Sequence, residues 1–251
     1  MELVGIEHHD KVTVLKLNNG ITNALNLKFI RKIFRNLRDL KDDPAVNGVV
    51  IASNNDKFFS IGFDIPQLYE LEEEDFRMFY RTYNRLCIDL YTFPKPTIAA
   101  ITGHAIAGGC ILALCCNFRF IAEGRKLLGL NEIKLGVPVP YPGDCILRQL
   151  VGTQNTQDII NTGEFYPSKE LLRMGIVDRV MTLDQVNSKA IERVKLLGAM
   201  PKEAFSLIKR NRKEIVEKQV LKHLAEKEKI FMECWFSDEA RKLLKEAIKK
   251  F

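Results

Sequence analysis

Three short stretches of the chain carry residues whose types and spacing could do chemistry. In "GHAIAGGCILALCCN", residues 103–117, Gly108 and Gly109 sit where an apolar strand-like run gives way to a helix-like one. A helix N-terminus offers unpaired N–H groups and a positive dipole end, so it can hold a developing negative charge. Glycine lets that backbone touch a ligand. In "KFFSIGFDIPQL", residues 57–68, Gly62 could expose the N–H groups of Phe63 and Asp64. This loop follows a buried strand, at the carboxyl end where open α/β sheets place their sites. In "LLGLNEIKLGVPVPYPGD", residues 127–144, Glu132 lies among apolar neighbours. Desolvation raises such a carboxyl toward the range that suits proton transfer near neutral pH. Each stretch alone also has a plainer reading: a packing turn for the glycine pair, a helix cap for Asp64, a surface acid for Glu132. "GHAIAGG" lacks the spacing of a dinucleotide fingerprint. His8, His9 and His223 have no acid or serine partner at motif spacing, so a nucleophilic triad is unsupported.

The elements that must position these residues follow from periodicity. "LVGIEHH" and "VTVLKLNN" alternate apolar and polar residues around Asp10 and Lys11, which predicts a hairpin. Asn26 can cap a helix over residues 27–41, with Ile30, Ile33, Phe34, Leu37 and Leu40 on one face and a row of Lys and Arg elsewhere. "GVVIAS" (48–53), "TIAAITG" (97–103) and "FRFIAE" (118–123) read as buried strands, and "GIVDRVM" (175–181) as a further one. A helix over 75–93 stops at "FPKP", and residues 142–174 read as short helices. This order predicts an α/β fold with a mostly parallel sheet covered by helices. Residues 1–181 form the expected core, and 182–251, rich in Lys, Glu, Leu and Ala, a C-terminal region of three or four helices.

Composition sets the outer bounds. The 251 residues are 46% apolar, enough for a sizeable core, and no run reaches the ~18 apolar residues of a membrane span. "MELVGIEHHDK" has no apolar signal core, so a cytoplasmic address is expected. The six cysteines include no CxxC pair and no histidine at ligand spacing, which argues against a metal site and against a disulfide framework. The net charge of +6 suits a multiply anionic small ligand as well as weak nucleic-acid contact. "IKRNRKEIVEKQVLKHLAEKEK" interleaves glutamate with lysine, the pattern of a solvated salt-bridged helix rather than a phosphate-binding stripe. Nucleic acid is therefore disfavoured as a partner.

Taken together, "NALN" (23–26), "FFSIGFDI" (58–65), "KPTIAAITGHAIAGGC" (95–110), "GLNEIKLGV" (129–137) and "MGIVDRVM" (174–181) stand in an order and spacing that resemble the crotonase superfamily, the enoyl-CoA hydratase/isomerase fold. The resemblance covers residues 1 to about 180. It implies a spiral of ββα units with a helical C-terminal trimerisation region, giving a homotrimer or a hexamer. It also implies an acyl-CoA thioester as substrate, with no cofactor because coenzyme A is part of that substrate. The shared chemistry is stabilisation of a thioester enolate by two backbone N–H groups, here those of Phe63 and Gly108. The substrate's nucleotide and pantetheine would lie along Asn23, Ala24 and Leu25 and along Ile61, Gly62, Asp64 and Ile65, with the basic helix from Leu27 near the phosphates. His104 stands where relatives place a structural His or Tyr.

Acid–base residues separate the members. Similar hydratases carry two glutamates; here Glu132 occupies one position and Ile111 the other, and isoleucine can neither accept a proton nor orient water. A single carboxylate suffices to move a double bond, so Glu132 is the expected catalytic residue and "GLNEIKLG" looks closest to mitochondrial-type Δ3,Δ2-enoyl-CoA isomerases. Peroxisomal-type isomerases place their base where this chain has Pro140. The alternatives are hydration or thioester hydrolysis, with Asp144 as an extra acid, and an RNA-binding relative.

Overall fold

The computed structural model describes residues 2–249. At the N-terminus β1 (Val4–His9) and β2 (Val12–Leu17) pair antiparallel, and Asp10 at the turn takes a φ of 57°. Helix α1 (Leu27–Asp42) starts where Asn26 Oδ1 accepts from the Phe29 N–H at 3.0 Å, and it buries Phe29, Ile30, Ile33, Leu37 and Leu40. Its cationic residues Lys28, Arg31, Arg35 and Arg38 face solvent.

Three ββα units follow. In each, one strand enters a large sheet, the next a small sheet, and helices return the chain. The first is β3 (Gly48–Ser53), β4 (Phe58–Ser60), α2 (Ile65–Tyr69) and α3 (Glu73–Tyr91). The second is β5 (Thr97–Ile101), β6 (His104–Ile106) and α4 (Gly108–Cys115). The third is β7 (Phe118–Ala122), β8 (Leu127–Gly129), a 3₁₀ turn (Glu132–Leu135) and α5 (Tyr141–Thr162). Then come β9 (Phe165–Pro167), α6 (Ser168–Arg173), β10 (Arg179–Met181), α7 (Leu183–Gly198), α8 (Lys202–Trp235) and α9 (Asp238–Ile248). The large sheet runs β1-β2-β3-β5-β7-β10, parallel from β2 onward, and the small one β4-β6-β8-β9.

The large sheet is buried on both faces, which is why its central strands read as unbroken apolar runs. Alternate residues Val50, Ala52, Ile98, Ala100, Phe120 and Ala122 meet Val186, Ala190 and Val194 of α7. Their neighbours Val49, Ile51, Ala99, Ile101 and Ile121 face the main core. Arg119 is 2% exposed; its guanidinium donates to Asp178 at 2.8 Å and to the carbonyls of Ile176 and Cys116. This pins β7 to the loop before β10.

Several boundaries differ from those expected, but the segment read as short helices is so: α5 is two helical stretches joined across a kink at Gly152 (φ 78°, ψ 170°), and the short strand β9 and helix α6 follow. Pro142 in its first turn is compatible with a helix start, so proline there does not break it. The strand expected from residue 175 begins only at Arg179, because Gly175 (φ 77°) closes α6 and the amides of Ile176 and Val177 still bond back to Leu171. The second sheet was not anticipated. From Met181 onward the described chain is helical, with α8 laced by pairs such as Lys218–Glu214 and Lys229–Glu233. Among the described residues no helix is long and apolar enough to cross a membrane.

Candidate active site

A cavity of about 690 Å³ lies where β4, β6 and the 3₁₀ turn meet α8 and α9. Phe63, Gly108 and Glu132, the three residues singled out for chemistry, all line it.

Two backbone N–H groups converge there for separate local reasons. Leu25 and Phe63 form a parallel bridge in which Leu25 uses both its own groups, its N–H to Gly62 O at 2.7 Å and its carbonyl to Asp64 N at 3.0 Å. In a parallel bridge the partner residue's own N–H then points the other way, so that of Phe63 faces the cavity. Gly62 makes the turn with φ 91°. Gly108 is the first residue of α4, so its N–H has no intrahelical acceptor. Ala107 before it holds an unusual φ of 47° and ψ of −122°, anchored by its N–H to Gly129 O at 2.9 Å. Strain of this kind costs about 1–3 kcal/mol and persists only where the surroundings enforce it. Neither the Phe63 nor the Gly108 N–H meets a protein acceptor among the described residues.

The glycine pair answers two demands. A Cβ on Gly108 would sit 3.0 Å from the Phe63 ring and 3.2 Å from the Tyr83 hydroxyl, which donates to Gly108 O at 2.8 Å. A Cβ on Gly109 would sit 2.4 Å from Ser60 O. The missing side chain of Gly109 lets the helix start approach β4, and that of Gly108 leaves room for the Phe63 ring and the Tyr83 hydroxyl. The Phe63 ring is locked edge-on between Phe79 and Tyr83, with centroids 4.9 and 4.8 Å away.

Glu132 opens the 3₁₀ turn, which ends at Gly136 in the left-handed region (φ 73°). Its side chain is buried, and among the described residues neither carboxylate oxygen has a hydrogen-bond partner. Burial raises its pKa to about 8. Ile111 is fully buried, and Gly143 of α5 is packed so closely on it that a Cβ there would lie 2.7 Å from Ile111 Cδ1. Asp144 pairs with Arg148 and lines a neighbouring cavity of about 400 Å³, away from Glu132. The two cavities share Val137 and Phe231 as a wall.

Of the residues expected along the nucleotide and pantetheine, Ile61 and Ile65 line the cavity and Gly62 lies directly behind Phe63. Asn23, Ala24, Leu25 and Asp64 do not bring their side chains to it. Asn23 is fully buried, accepting from Asn19 N and donating to Ser53 Oγ and Phe59 O. Leu25 is core, and Asp64 caps α2 through Gln67 N. His104 Nδ1 accepts from Leu127 N at 3.1 Å, a structural bond, although the ring also lines the cavity. Burial chiefly, then nearby Lys and Arg, lowers its pKa. Phe165, Phe231, Trp235 and Leu243 line the site without having been named from sequence. Each comes from a distant element, and no local motif marks it. No group of three or more His, Cys, Asp or Glu is placed to hold a metal among the described residues.

Backbone donors facing a buried, unpaired carboxyl suit enolate chemistry. The sequence comparisons agree. Residues 7–251 match the family described as enoyl-CoA hydratase/isomerase. The chain is 32% identical over 208 residues to mouse mitochondrial enoyl-CoA delta isomerase 1, covering 82% of this chain and 72% of that one. It is 33% identical over 200 residues to a probable enoyl-CoA hydratase of Bacillus subtilis, covering 79% and 76%. The crystal structure of human mitochondrial delta3-delta2-enoyl-CoA isomerase superposes with a TM-score of 0.95 at 26% identity, over 99% of this chain and 98% of that one. The chain belongs to the enoyl-CoA hydratase/isomerase family, with the crotonase fold.

Proposed function

We propose that the protein is a Δ3,Δ2-enoyl-CoA isomerase in which Glu132 is the single acid–base residue. The observation that carries this reading is the buried Glu132 with neither carboxylate oxygen partnered; it is supported by Ile111, a hydrocarbon at the sequence position where the family resemblance implies a hydratase's second glutamate. The ionised Glu132 takes a proton from C2 of a 3-enoyl thioester. The C–H electron pair becomes the C1–C2 double bond of the dienolate while the carbonyl π pair moves onto the thioester oxygen, whose charge is held by the Phe63 and Gly108 N–H groups; when C4 is protonated the carbonyl re-forms and the double bond settles between C2 and C3. Glu132 then returns the proton to C4, leaving the trans-2-enoyl thioester. Nothing is oxidised or reduced, and the reaction needs no cofactor.

The pantetheine is proposed to follow the backbone of residues 23–25 and 61–65, since the side chains of Asn23, Leu25 and Asp64 are engaged elsewhere. A homotrimer or hexamer fits the exposed Leu207, Ile215 and Leu221 on α8. The test is a thioester assay: 3-enoyl-CoA should be converted to the conjugated 2-enoyl-CoA, and Glu132→Gln should lower the rate about 10²–10⁴-fold. Full activity in that variant, or hydration of crotonyl-CoA outpacing isomerisation, would defeat the reading.

A further inference from the structure

Helix α4 presents its N-terminus to the candidate active site. Its other end, about 12 Å away for eight residues, abuts a third cavity, of about 370 Å³, between β7, α5 and α8. Arg119, Lys209, Arg212 and Lys213 all line it, and among the described residues Asp178 is the single carboxylate that does. That acid is already engaged by Arg119 through both the guanidinium and the backbone N–H. Lys209 is 5% exposed, and its ammonium donates to Lys95 O at 3.0 Å and Asn117 Oδ1 at 2.8 Å. Lys213 donates to Tyr91 O at 2.8 Å and lies 3.9 Å from the centre of the Tyr91 ring. Among the described residues no carboxylate comes within ion-pair distance of Lys209, Arg212 or Lys213.

Cations taken out of water without a counter-ion are costly. Burial lowers the pKa of Lys209 well below the usual ammonium range and that of Lys213 to about 7. The remaining walls include Leu114, Ile146 and Leu150. An apolar chamber with a few convergent polar groups is the usual form of a small-ligand site. We propose that this cavity binds a small amphiphilic organic anion, its carboxylate head on Lys213 and Arg212 and its hydrocarbon body against Leu114, Ile146 and Leu150. The site is independent of the isomerase reading.

Octanoate is a suitable probe, titrated calorimetrically into the full chain, with octanol as the uncharged control. The expected result is saturable octanoate binding, one per chain, with octanol at least tenfold weaker. Lys213→Met should weaken octanoate tenfold or more, and Lys213→Arg should stay within about threefold of wild type. Arg212→Ala, at an exposed position that does not endanger folding, should weaken it several-fold. Circular dichroism verifies that each variant is folded. No saturable binding, equal affinity for octanol, or unchanged affinity in both Lys213→Met and Arg212→Ala would overturn the proposal, the last by locating the ligand in another cavity.

Discussion

A side chain on Gly62 would place its Cβ 3.0 Å from the amide nitrogen of Gly108 and 2.8 Å from Ile106 O. The residue that aims one donor is therefore in van der Waals contact with the other. Gly62→Ala must push β4 and the start of α4 apart, at a φ of 91° that alanine resists. It should lower kcat by about 10²–10³, the usual effect of losing a donor to a developing oxyanion. Stability should fall by about 1–3 kcal/mol. Steady-state kinetics and thermal unfolding measure both, and an unaffected kcat would mean that these N–H groups do not hold the charge.

The buried Glu132 carboxyl gives the activity a pH signature. As the proposed base it must be ionised, and with a pKa of about 8 in the unliganded protein it is mostly protonated at neutrality. The ratio kcat/KM should rise nearly tenfold per pH unit between 6 and 7 and level off above 8. A profile flat from pH 6 to 9 would exclude Glu132 as the base.

The same shift has a stability consequence of opposite sense. Folded Glu132 holds a proton that the unfolded chain releases near pH ~4.3, so native stability declines as pH climbs from there through about 8. Glu132→Gln lacks this titration. It should be more stable than wild type at pH 9, by a few kcal/mol, with the gap narrowing toward pH 5. Urea unfolding at those two pH values checks it.

Phe231 stacks on Tyr80 with centroids 4.0 Å apart and forms, with Val137, the wall between the Glu132 cavity and its neighbour. Phe231→Ala should cost about 3–5 kcal/mol. Joining the two spaces should also shift the preference toward longer acyl chains. Relative kcat/KM across a series of 3-enoyl thioesters reads this directly; an unchanged ranking would place the acyl tail elsewhere.

Asp178→Asn would leave the Arg119 guanidinium buried without its counter-ion. Asp178 keeps 30% of its side chain exposed, so the loss should fall below the 3–5 kcal/mol typical of a fully buried pair, at about 2 kcal/mol. Denaturant midpoints test this, and a loss under 1 kcal/mol would show that the carbonyls of Ile176 and Cys116 suffice.

That Phe63, Gly108 and Glu132 share one cavity was legible because each is marked locally: a glycine before a helix, a glycine in a loop after a strand, an acid among hydrocarbon. The central strands were legible because burial on both faces removes polar residues altogether. The small sheet was not, since its strands β4, β6, β8 and β9 have three residues each, too short for an alternation to register. Asn23 shows the limit of what a motif reveals, for a related reason. Its motif signals proximity to the site, while the side chain is spent tying three segments together. Phe231 and Trp235 escaped notice because α8 has no apolar face that persists along its 34 residues, only local contacts that tertiary structure selects.

Both donors of the candidate oxyanion site are main-chain groups, each oriented by the residue before it, Gly62 for Phe63 and Ala107 for Gly108. To a protein engineer this separates two properties that are usually entangled. The Phe63 ring can be exchanged to remodel what the pocket admits, while the N–H it travels with stays where Gly62 sends it. New thioester specificities are therefore best sought at Phe63, with the two preceding residues left untouched.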